Sequence, residues 1–262
     1  MPRYIRLLAI FYKSSLISEL EYRLNFLANL GLSLFWLGWA ALSVRVYFYH
    51  TDTIAGWTYH EMLMVMGLFF ALNGYRQVIL EPNLSRMSEH VRLGTLDYVL
   101  TKPVNSQFLI SFRHIGVYNW GDPLLGLGLV GYGLYMSGHA PTIGQVAVFV
   151  ILMLASLVLL YSLHLLLQTT TIWLVSIQQV DAILQGLLET GRFPVNFYRG
   201  WVRAVLTIVF PIAFMTTFPA QALLGKLTWL LALVAVAVSL LLLLLASAFW
   251  RFALRSYTGS SA

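Results

Sequence analysis

Residues 229–250 read WLLALVAVAVSLLLLLLASAFW, a run without any charged side chain. A helix needs about 20 predominantly apolar residues to cross the hydrocarbon core of a bilayer. Residues 145–167 form a second run of this kind. Hydrophobic residues make up 59% of the chain, charged residues make up 10%, and the mean hydropathy is +0.78, which excludes an ordinary soluble domain. The sequence therefore predicts an all-α, polytopic membrane protein.

The N-terminal segment differs from these runs because basic residues interrupt it. Arg3, Arg6 and Lys13 stand among apolar side chains within residues 1–23. Such a pattern is typical of an amphipathic helix that lies in the membrane interface. We therefore expect residues 1–23 to form an interfacial helix on the inner leaflet, followed by one transmembrane domain over residues 24–262.

The basic residues also predict the orientation of the chain. Arg251 and Arg255 follow the last apolar run, and cytoplasmic flanks of spans are enriched in such residues. Both termini are therefore expected in the cytoplasm, which requires an even number of crossings. Five spans are predicted at 24–47, 59–80, 117–136, 145–167 and 229–250. A sixth is expected between residues 168 and 226.

Two of these spans carry a local signal. The second is expected to end at Pro82, because proline lacks the backbone N–H that a continuing helix uses. The third is rich in glycine, which lets helices approach closely, so we expect it to be buried among its neighbours. Its glycines are Gly116, Gly121, Gly126, Gly128, Gly131 and Gly133.

Two placements of the sixth span fit the sequence. The first is residues 169–190, followed by an external re-entrant segment over residues 192–226. The second is residues 201–223. The basic-residue bias favours the second, because that placement leaves three arginines (Arg192, Arg199, Arg203) in the cytoplasm. The prolines favour the first, because Pro211 and Pro219 would both interrupt a continuous span.

A polar insert, residues 81–113, separates the second and third spans. Its centre, residues 89–103, reads EHVRLGTLDYVLTKP. Gly94 is expected to end one short helix in the left-handed conformation, and Thr95 is expected to cap the next. Asp97 would then stand in a first helical turn, where the helix dipole favours a carboxylate. The pattern predicts two short helices joined at Gly94 on the cytoplasmic side.

Several classes of function are excluded by residues that the chain lacks. There is no cysteine, so disulfides and thiolate sites are excluded. No phosphate-binding GxxxxGK[ST] loop and no catalytic constellation occur. The six histidines lack metal-ligand spacing, and the net charge of +6 is attributed to membrane edges rather than to nucleic-acid binding. We expect no metal, no cofactor and no catalytic residue on this chain.

The insert resembles the first cytoplasmic loop of ABC-2 export permeases that consist of stand-alone six-span subunits. Members of that branch carry an R-x-G-x-L-D-x-x-L-x-x-P segment. The matching positions here are Arg92, Gly94, Leu96, Asp97, Leu100 and Pro103, with Lys102 where an arginine is common. A second stretch, between Phe193 and Ala220, is also similar to the family.

The resemblance implies partners and roles. ATP and Mg²⁺ would be bound by separate ABC ATPase subunits, and a second permease subunit, identical or similar, would complete the complex in a bacterial inner (plasma) membrane. The ATPase would contact Glu89, Arg92, Gly94, Leu96, Asp97, Lys102 and Pro103. It also implies the first placement of the sixth span, with an external gate at Pro194, Pro211, Phe214 and Pro219.

Polar residues within the spans are expensive in a membrane and therefore predict function. The predicted translocation path contains Asn73, Gln178, Gln179, Asp181 and Gln185. Because the chain is so apolar, we expect its substrate to be amphiphilic, lipid-like or drug-like. Two rival functions fit the same pattern: an ion-driven secondary transporter, for which Asp181 and Asp122 offer few buried carboxylates, and a membrane assembly factor that does not transport.

Overall fold

The computed structural model describes residues 2–20, 23–174 and 180–257. Nearly all regular structure in these ranges is helical, so the all-α prediction is confirmed. The exception is a hairpin of two-residue antiparallel strands, β1 (Thr53–Ile54) and β2 (Trp57–Thr58). The longer helices lie side by side, and the polar insert caps one end of them.

Thirteen α-helices follow one another along the described ranges. They are α1 (Pro2–Leu20), α2 (Arg23–Tyr47), α3 (Tyr59–Tyr75), α4 (Glu81–Leu84), α5 (Met87–Arg92), α6 (Leu96–Leu100), α7 (Ser106–Phe112), α8 (Gly121–Met136), α9 (Ile143–Thr169), α10 (Val180–Glu189), α11 (Gly200–Ala204), α12 (Thr217–Leu223) and α13 (Trp229–Ser256). Residues Arg76–Leu80 and Val205–Val209 form π-helical turns. Short 3₁₀ turns lie at Val117–Trp120, Thr170–Ile172, Thr190–Arg192, Val195–Phe197 and Ile212–Phe214.

Four helical segments in the described ranges are long and apolar enough to cross a membrane. They cover Leu24–Tyr47, Tyr59–Arg92, Ile143–Ile172 and Trp229–Ser256. A further pair, Gly200–Val209 and Ile212–Leu223, is bent by 71°. The glycine-rich helix α8 is shorter, with 16 residues. These lengths and compositions are those of an integral membrane protein.

Helices α3 and α8 pack against each other in antiparallel directions at very short range. Gly67 faces Gly126 near the middle of the pair, and Gly133 faces the start of α3 at His60. A Cβ atom on Gly126 would lie only 2.5 Å from the Ala71 nitrogen. The glycines therefore permit close packing at these positions. The prediction that the third span is buried among its neighbours is wrong, because only Gly121, Gly126, Val130 and Gly133 of α8 are buried and its other face is open.

The two ends of the helical bundle are chemically different. One end, here called the hairpin end, carries β1 and β2, and the other, here called the insert end, carries residues 81–113. A 2.6 Å ion pair joins Lys226, just before α13, to Glu61 at the hairpin end. At the insert end, Arg3 of α1 and Trp250 of α13 each form a hydrogen bond with the insert. Both described termini therefore lie at the insert end.

Helices α9 and α13 are parallel neighbours. Both begin at the hairpin end, and the Gln107 amide donates hydrogen bonds of 3.0 Å to Tyr161 of α9 and to Ser247 of α13. Since α9 and α13 run in the same direction, the chain between them has to return to the hairpin end. That return is made by α10 and the bent pair of helices, of which α12 is the last part.

The middle of the returning segment is deeply buried. Every residue from 211 to 220 is buried, and the helix before Pro211 ends there, as proline requires. The Ser156 hydroxyl of α9 stands 3.2 Å from the carbonyls of Phe214 and Met215 and 2.7 Å from the Leu152 carbonyl of its own helix, so its single proton is shared among these acceptors. Irregular backbone is tolerated at membrane depth only where protein groups satisfy it. Pro219 does not break a helix, because it lies in the first turn of α12.

Two predicted boundaries differ in the structure. Pro82 does not stop the helix as predicted: helical backbone continues through the π-turn and α4 and, after a turn at Ser85 and Arg86, through α5 to Arg92. Pro82 is accommodated because it stands in the first turn of α4, where its missing N–H is not needed. The residues predicted as the span 169–190 do not form one described helix, since α9 ends at Thr169 and α10 begins at Val180.

Candidate coupling segment and translocation cavity

The insert folds as predicted around Gly94. Its φ angle is +65°, and its N–H donates to the Val91 carbonyl at 3.2 Å, which ends α5 before α6 begins. The expected cap at Thr95 is wrong, because its backbone is helical and its side chain makes no cap hydrogen bond. The Thr95 hydroxyl instead lies 2.7 Å from Nδ1 of His90 and so joins α5 to α6 across the glycine.

The seven residues predicted to contact an ATPase fall into an exposed group and a buried group. Glu89, Arg92, Lys102 and Pro103 are exposed, and Asp97 is half-buried. Gly94 and Leu96 are buried, and Leu96 is 0% exposed. The last two therefore anchor the insert to the helices and offer no side chain to a partner.

Two apolar side chains that the sequence did not single out belong to the same surface. Leu93 is 58% exposed and Tyr98 is 72% exposed, at the ends of the glycine joint. The name insert face is used here for Glu89, Arg92, Leu93, Tyr98, Lys102 and Pro103. Exposed apolar groups rimmed by charge are typical of a protein–protein contact.

The insert is braced by helices from both halves of the chain. Arg3 donates to the Pro103 carbonyl at 2.9 Å, and the rings of Tyr4 and Phe108 meet edge to face at 4.8 Å. Behind Asp97 lies Tyr257, whose buried hydroxyl stands beside that carboxylate. Burial and then the Asp97 charge raise the pKa of Tyr257. The insert is thus held against the helices rather than hanging as a free loop.

Two histidines of the insert, His90 and His114, have lowered pKa values. Burial is the largest cause that lowers the pKa of His90, and Arg113 is the next. Burial, followed by the charges of Arg86 and Arg113, lowers the pKa of His114. Asn83 fixes the backbone of His114 with two hydrogen bonds of 2.7 Å.

Asp181 connects the insert to α9 and α10. Its Oδ1 atom accepts hydrogen bonds from Ser85 at 2.8 Å, from Gln168 at 2.9 Å and from Nε2 of the fully buried His164 at 3.1 Å. Ser85 lies between α4 and α5, so one carboxylate ties three parts of the chain together. These four residues are called the Asp181 node below.

A cavity of about 470 Å³ opens between α2, α3, the start of α8 and the end of α10. It contains two of the residues predicted for the translocation path, Asn73 and Gln185. Asp181 does not line it, and Gln178 and Gln179 lie outside the described residues. The further polar lining is Asn29, Ser33, Ser43, Gln77, Asn119, Asp122, Glu189 and Arg192. Its aromatic lining is Trp36, Trp39, Phe69, Phe70 and Phe193.

Helix α10 joins the node to the cavity. Asp181, Gln185 and Glu189 are spaced four residues apart and therefore share one face of the helix. The first turn of α10 carries Asp181 of the node, and Gln185 and Glu189 in its later turns line the cavity. Glu189 pairs with Arg192 at 2.6 Å, and the Arg192 guanidinium stands 5.2 Å above the Phe69 ring.

Residues 34–261 match the family described as ABC-2 family transporter protein. The chain belongs to the ABC-2 transporter family. The resemblance drawn from the insert motif is therefore confirmed. No curated protein and no solved structure matches the chain. Membership makes this ABC-2 chain an integral membrane subunit of an ABC transporter, of the permease type that has no ATPase domain of its own.

The four residues assigned to an external gate in this ABC-2 chain are all buried. They are Pro194, Pro211, Phe214 and Pro219. The surrounding backbone is held by side-chain hydroxyls: Thr216 donates to the Gly191 carbonyl at 3.0 Å, and Thr217 accepts from the Val195 N–H at 3.1 Å. Hydrogen bonds therefore hold the two ends of residues 191–217 together.

The described part of the ABC-2 chain contains no group of three or more His, Asp or Glu side chains that could hold a metal ion. Its polar groups at the cavity are amides, hydroxyls, the Asp122 carboxylate and one ion pair. The sequence pointed to Asn73 and Gln185 because polar residues inside apolar spans are conspicuous. It missed Asn29 and Asn119, which stand near span ends where polar residues are ordinary.

Proposed function

We propose that this permease subunit is the membrane half of an ATP-driven exporter. It crosses a bacterial inner membrane six times, with both termini on the cytoplasmic side. The parallel directions of α9 and α13 support an even number of passes, because the segment between them returns to the hairpin end. On this proposal the insert end is cytoplasmic and the hairpin end is external.

The observation that carries the proposal is the insert face. Leu93 and Tyr98 expose apolar surface that no described residue covers, and Glu89, Arg92 and Lys102 surround it with charge. A separate ABC ATPase chain docks here and supplies ATP and Mg²⁺. The contact between Thr95 and His90 across Gly94 and the burial of Leu96 hold α5 and α6 together, so force applied to the insert face moves the whole insert.

Helix α10 is proposed to carry that movement to the substrate path. The Asp181 node ties the helix to Ser85 of the insert, and Gln185 and Glu189 of the same helix line the cavity. A helix moves as a rigid element, so displacement of the insert shifts these two side chains relative to α3. Asp181 is thus a positioning residue that does not touch the substrate.

A second permease subunit completes the path. Only 6% of the apolar stretch of α2 is buried within this chain, against 78% for α3, and α2 forms one wall of the cavity. A second copy or a similar chain covers this face. The buried segment 211–220 closes the path on the external side, and the substrate is an amphiphile.

The docking proposal is tested by charge reversal on the insert face. Tagged chains carrying Lys102→Glu are purified from native membranes and assayed for vanadate-sensitive ATPase activity. The unaltered chain is expected to carry that activity, and the variant is expected to lose most of it. Arg45→Glu is the matched control, because Arg45 is also exposed but lies at the hairpin end.

Three outcomes refute the proposal in different ways. If Lys102→Glu retains the ATPase and Arg45→Glu loses it, the insert face is not the docking surface. If the unaltered chain carries no ATPase and a proton or sodium gradient drives uptake into its vesicles, the protein is a secondary transporter. If the chain supports neither form of transport, it is an assembly factor.

A further inference from the structure

Four basic side chains lie close together where the two ends of the insert meet. Arg86 precedes α5 and His90 lies within it, whereas Arg113 and His114 directly follow α7. Asn83 joins these two stretches, because its side chain forms two hydrogen bonds of 2.7 Å with the backbone of His114. The His90 N–H donates to the Arg86 carbonyl at 2.9 Å, so these two residues stand one helical turn apart on the same side. The name basic cluster is used here for Arg86, His90, Arg113 and His114.

Electrostatic interactions connect all four members of the basic cluster. Burial, followed by the charges of Arg86, Arg113 and His90, lowers the pKa of His114. Like charges disfavour a further positive charge nearby, and an opposite charge relieves that cost. An anion placed among these side chains would therefore be attracted by all of them.

Neither arginine of the basic cluster is neutralised by the described part of the chain. Both are exposed, and neither takes part in the four ion pairs of that part. Glu89 is a carboxylate that acts on the cluster, but burial and the charge of Arg113 lower the pKa of His90 more than Glu89 raises it. Thr95 occupies only Nδ1 of His90, at 2.7 Å, and the described residues form no hydrogen bond with its Nε2 or with the His114 ring. The cluster therefore has unused hydrogen-bond donors for an anion.

The basic cluster lies beyond the part of the helices that crosses the hydrocarbon core. The helical segment Tyr59–Arg92 has 34 residues, whereas about 20 residues cross that core. Because the segment begins at the hairpin end, its last residues, including Arg86 and His90, lie outside the core at the insert end. Trp120, which is 40% exposed just before α8, is typical of the lipid headgroup region. Basic pockets between helices at this depth bind the phosphate groups of lipids.

We propose that the basic cluster binds the phosphate of an anionic phospholipid headgroup. The phosphate lies between Arg86 and Arg113, because guanidinium groups match the geometry of phosphate oxygens. His90 and His114 supply further hydrogen-bond donors. A lipid held in this way joins the two ends of the insert and stabilises them against the helices. This inference goes beyond the proposed function, since it requires neither an ATPase nor transport.

The inference is tested on the permease alone, solubilised in an uncharged detergent. Dioleoylphosphatidylglycerol and dioleoylphosphatidylcholine have the same tails, and only the first has a net negative charge. Each is titrated separately, and the affinity of the first bound lipid is measured by native mass spectrometry. Phosphatidylglycerol is expected to bind at least about fivefold more tightly, the value of one basic residue near an anionic lipid surface. Histidine NMR is expected to show that phosphatidylglycerol also raises the pKa of His114, whereas phosphatidylcholine does not.

Arg86→Gln and Arg113→Gln each remove a charge that holds no other part of the described fold. Each variant is expected to weaken phosphatidylglycerol binding by about fivefold. Arg255→Gln is the matched control, because Arg255 is also exposed at the insert end but lies in the last turn of α13. Unchanged melting temperatures show that the variants remain folded.

Four results overturn the inference. Equal binding of the two lipids, or equal losses in Arg255→Gln and in the two cluster variants, would mean that the attraction is general. If inorganic phosphate displaces phosphatidylglycerol and raises the pKa of His114 equally, the ligand is free phosphate. If both cluster variants bind the lipid normally, the cluster is not its site, and loss of the ATPase in those variants would assign the cluster to the insert face. A chain that binds phosphatidylglycerol as expected but retains its ATPase in Lys102→Glu refutes only the docking proposal.

Discussion

Replacing Gly126 with alanine should force α3 and α8 apart. The new Cβ atom would lie 2.5 Å from the Ala71 nitrogen and 2.6 Å from the Gly67 oxygen, so the backbones must separate by about 0.9 Å to reach an ordinary contact of 3.4 Å. Both obstructing atoms are backbone and cannot rotate away. Overpacking of this kind costs about 3 kcal/mol. For a chain of this size that corresponds to a fall in melting temperature of about 6 to 12 °C.

The matched control is Gly128→Ala, two residues along the same helix. Nothing lies within 4 Å of a Cβ atom at Gly128, so the variant should be neutral or more stable by up to about 1 kcal/mol, the difference in helix propensity. Melting is followed by fluorescence-detected size exclusion of the detergent-solubilised protein after heating. Equal melting temperatures for the two variants would refute the close packing of α3 and α8.

Two further predictions concern the insert. Asp181→Asn should leave the ATPase bound and its basal activity intact but should reduce the transport per ATP hydrolysed, because hydrogen bonds to a neutral amide are weaker than those to the carboxylate by about 1 kcal/mol. The control, Asp52→Asn, removes an exposed carboxylate and should transport normally. Normal coupling in Asp181→Asn would exclude α10 as the connection. The pKa values of His90 and His114 are lowered in the folded state by burial and neighbouring arginines. Unfolded histidine therefore binds protons first as pH falls, and the insert should lose stability below about pH 6.5. Hydrogen exchange of the insert measured on both sides of that pH should show this loss, and the double variant with glutamine at both positions should lack it.

The membrane character and the glycine joint were predictable because each depends on local sequence. An apolar run long enough to cross a bilayer is visible without a structure, and Gly94 is identified by the polar insert around it. Burial was not predictable. Helices α2 and α3 are both apolar, yet one faces outward and the other lies within the bundle. Lipid and protein interior favour the same side chains, so composition does not separate them.

The node and the cavity illustrate a second limit. Asp181 was conspicuous as a carboxylate beside apolar sequence, but its partners Ser85 and His164 are distant in the chain and ordinary in their own segments. Trp36 was indistinguishable from an interfacial anchor until its neighbours were known. Arg76 is similar: it is buried and pairs with Glu81 at 3.2 Å across a π-turn that the sequence did not signal. Such groupings depend on how separate helices are brought together.

The parallel arrangement of α9 and α13 also constrains how the protein is made. During synthesis α9 enters the membrane long before its partner α13 exists, and more than one other element must first be inserted between them. Until α10 follows, His164 faces lipid without Asp181, the carboxylate that lies 3.1 Å from it in the finished bundle. Nascent chains that stall in this interval expose polar side chains to hydrocarbon at considerable cost. Release of α9 from the insertion machinery is therefore expected to wait for α10, which carries Asp181.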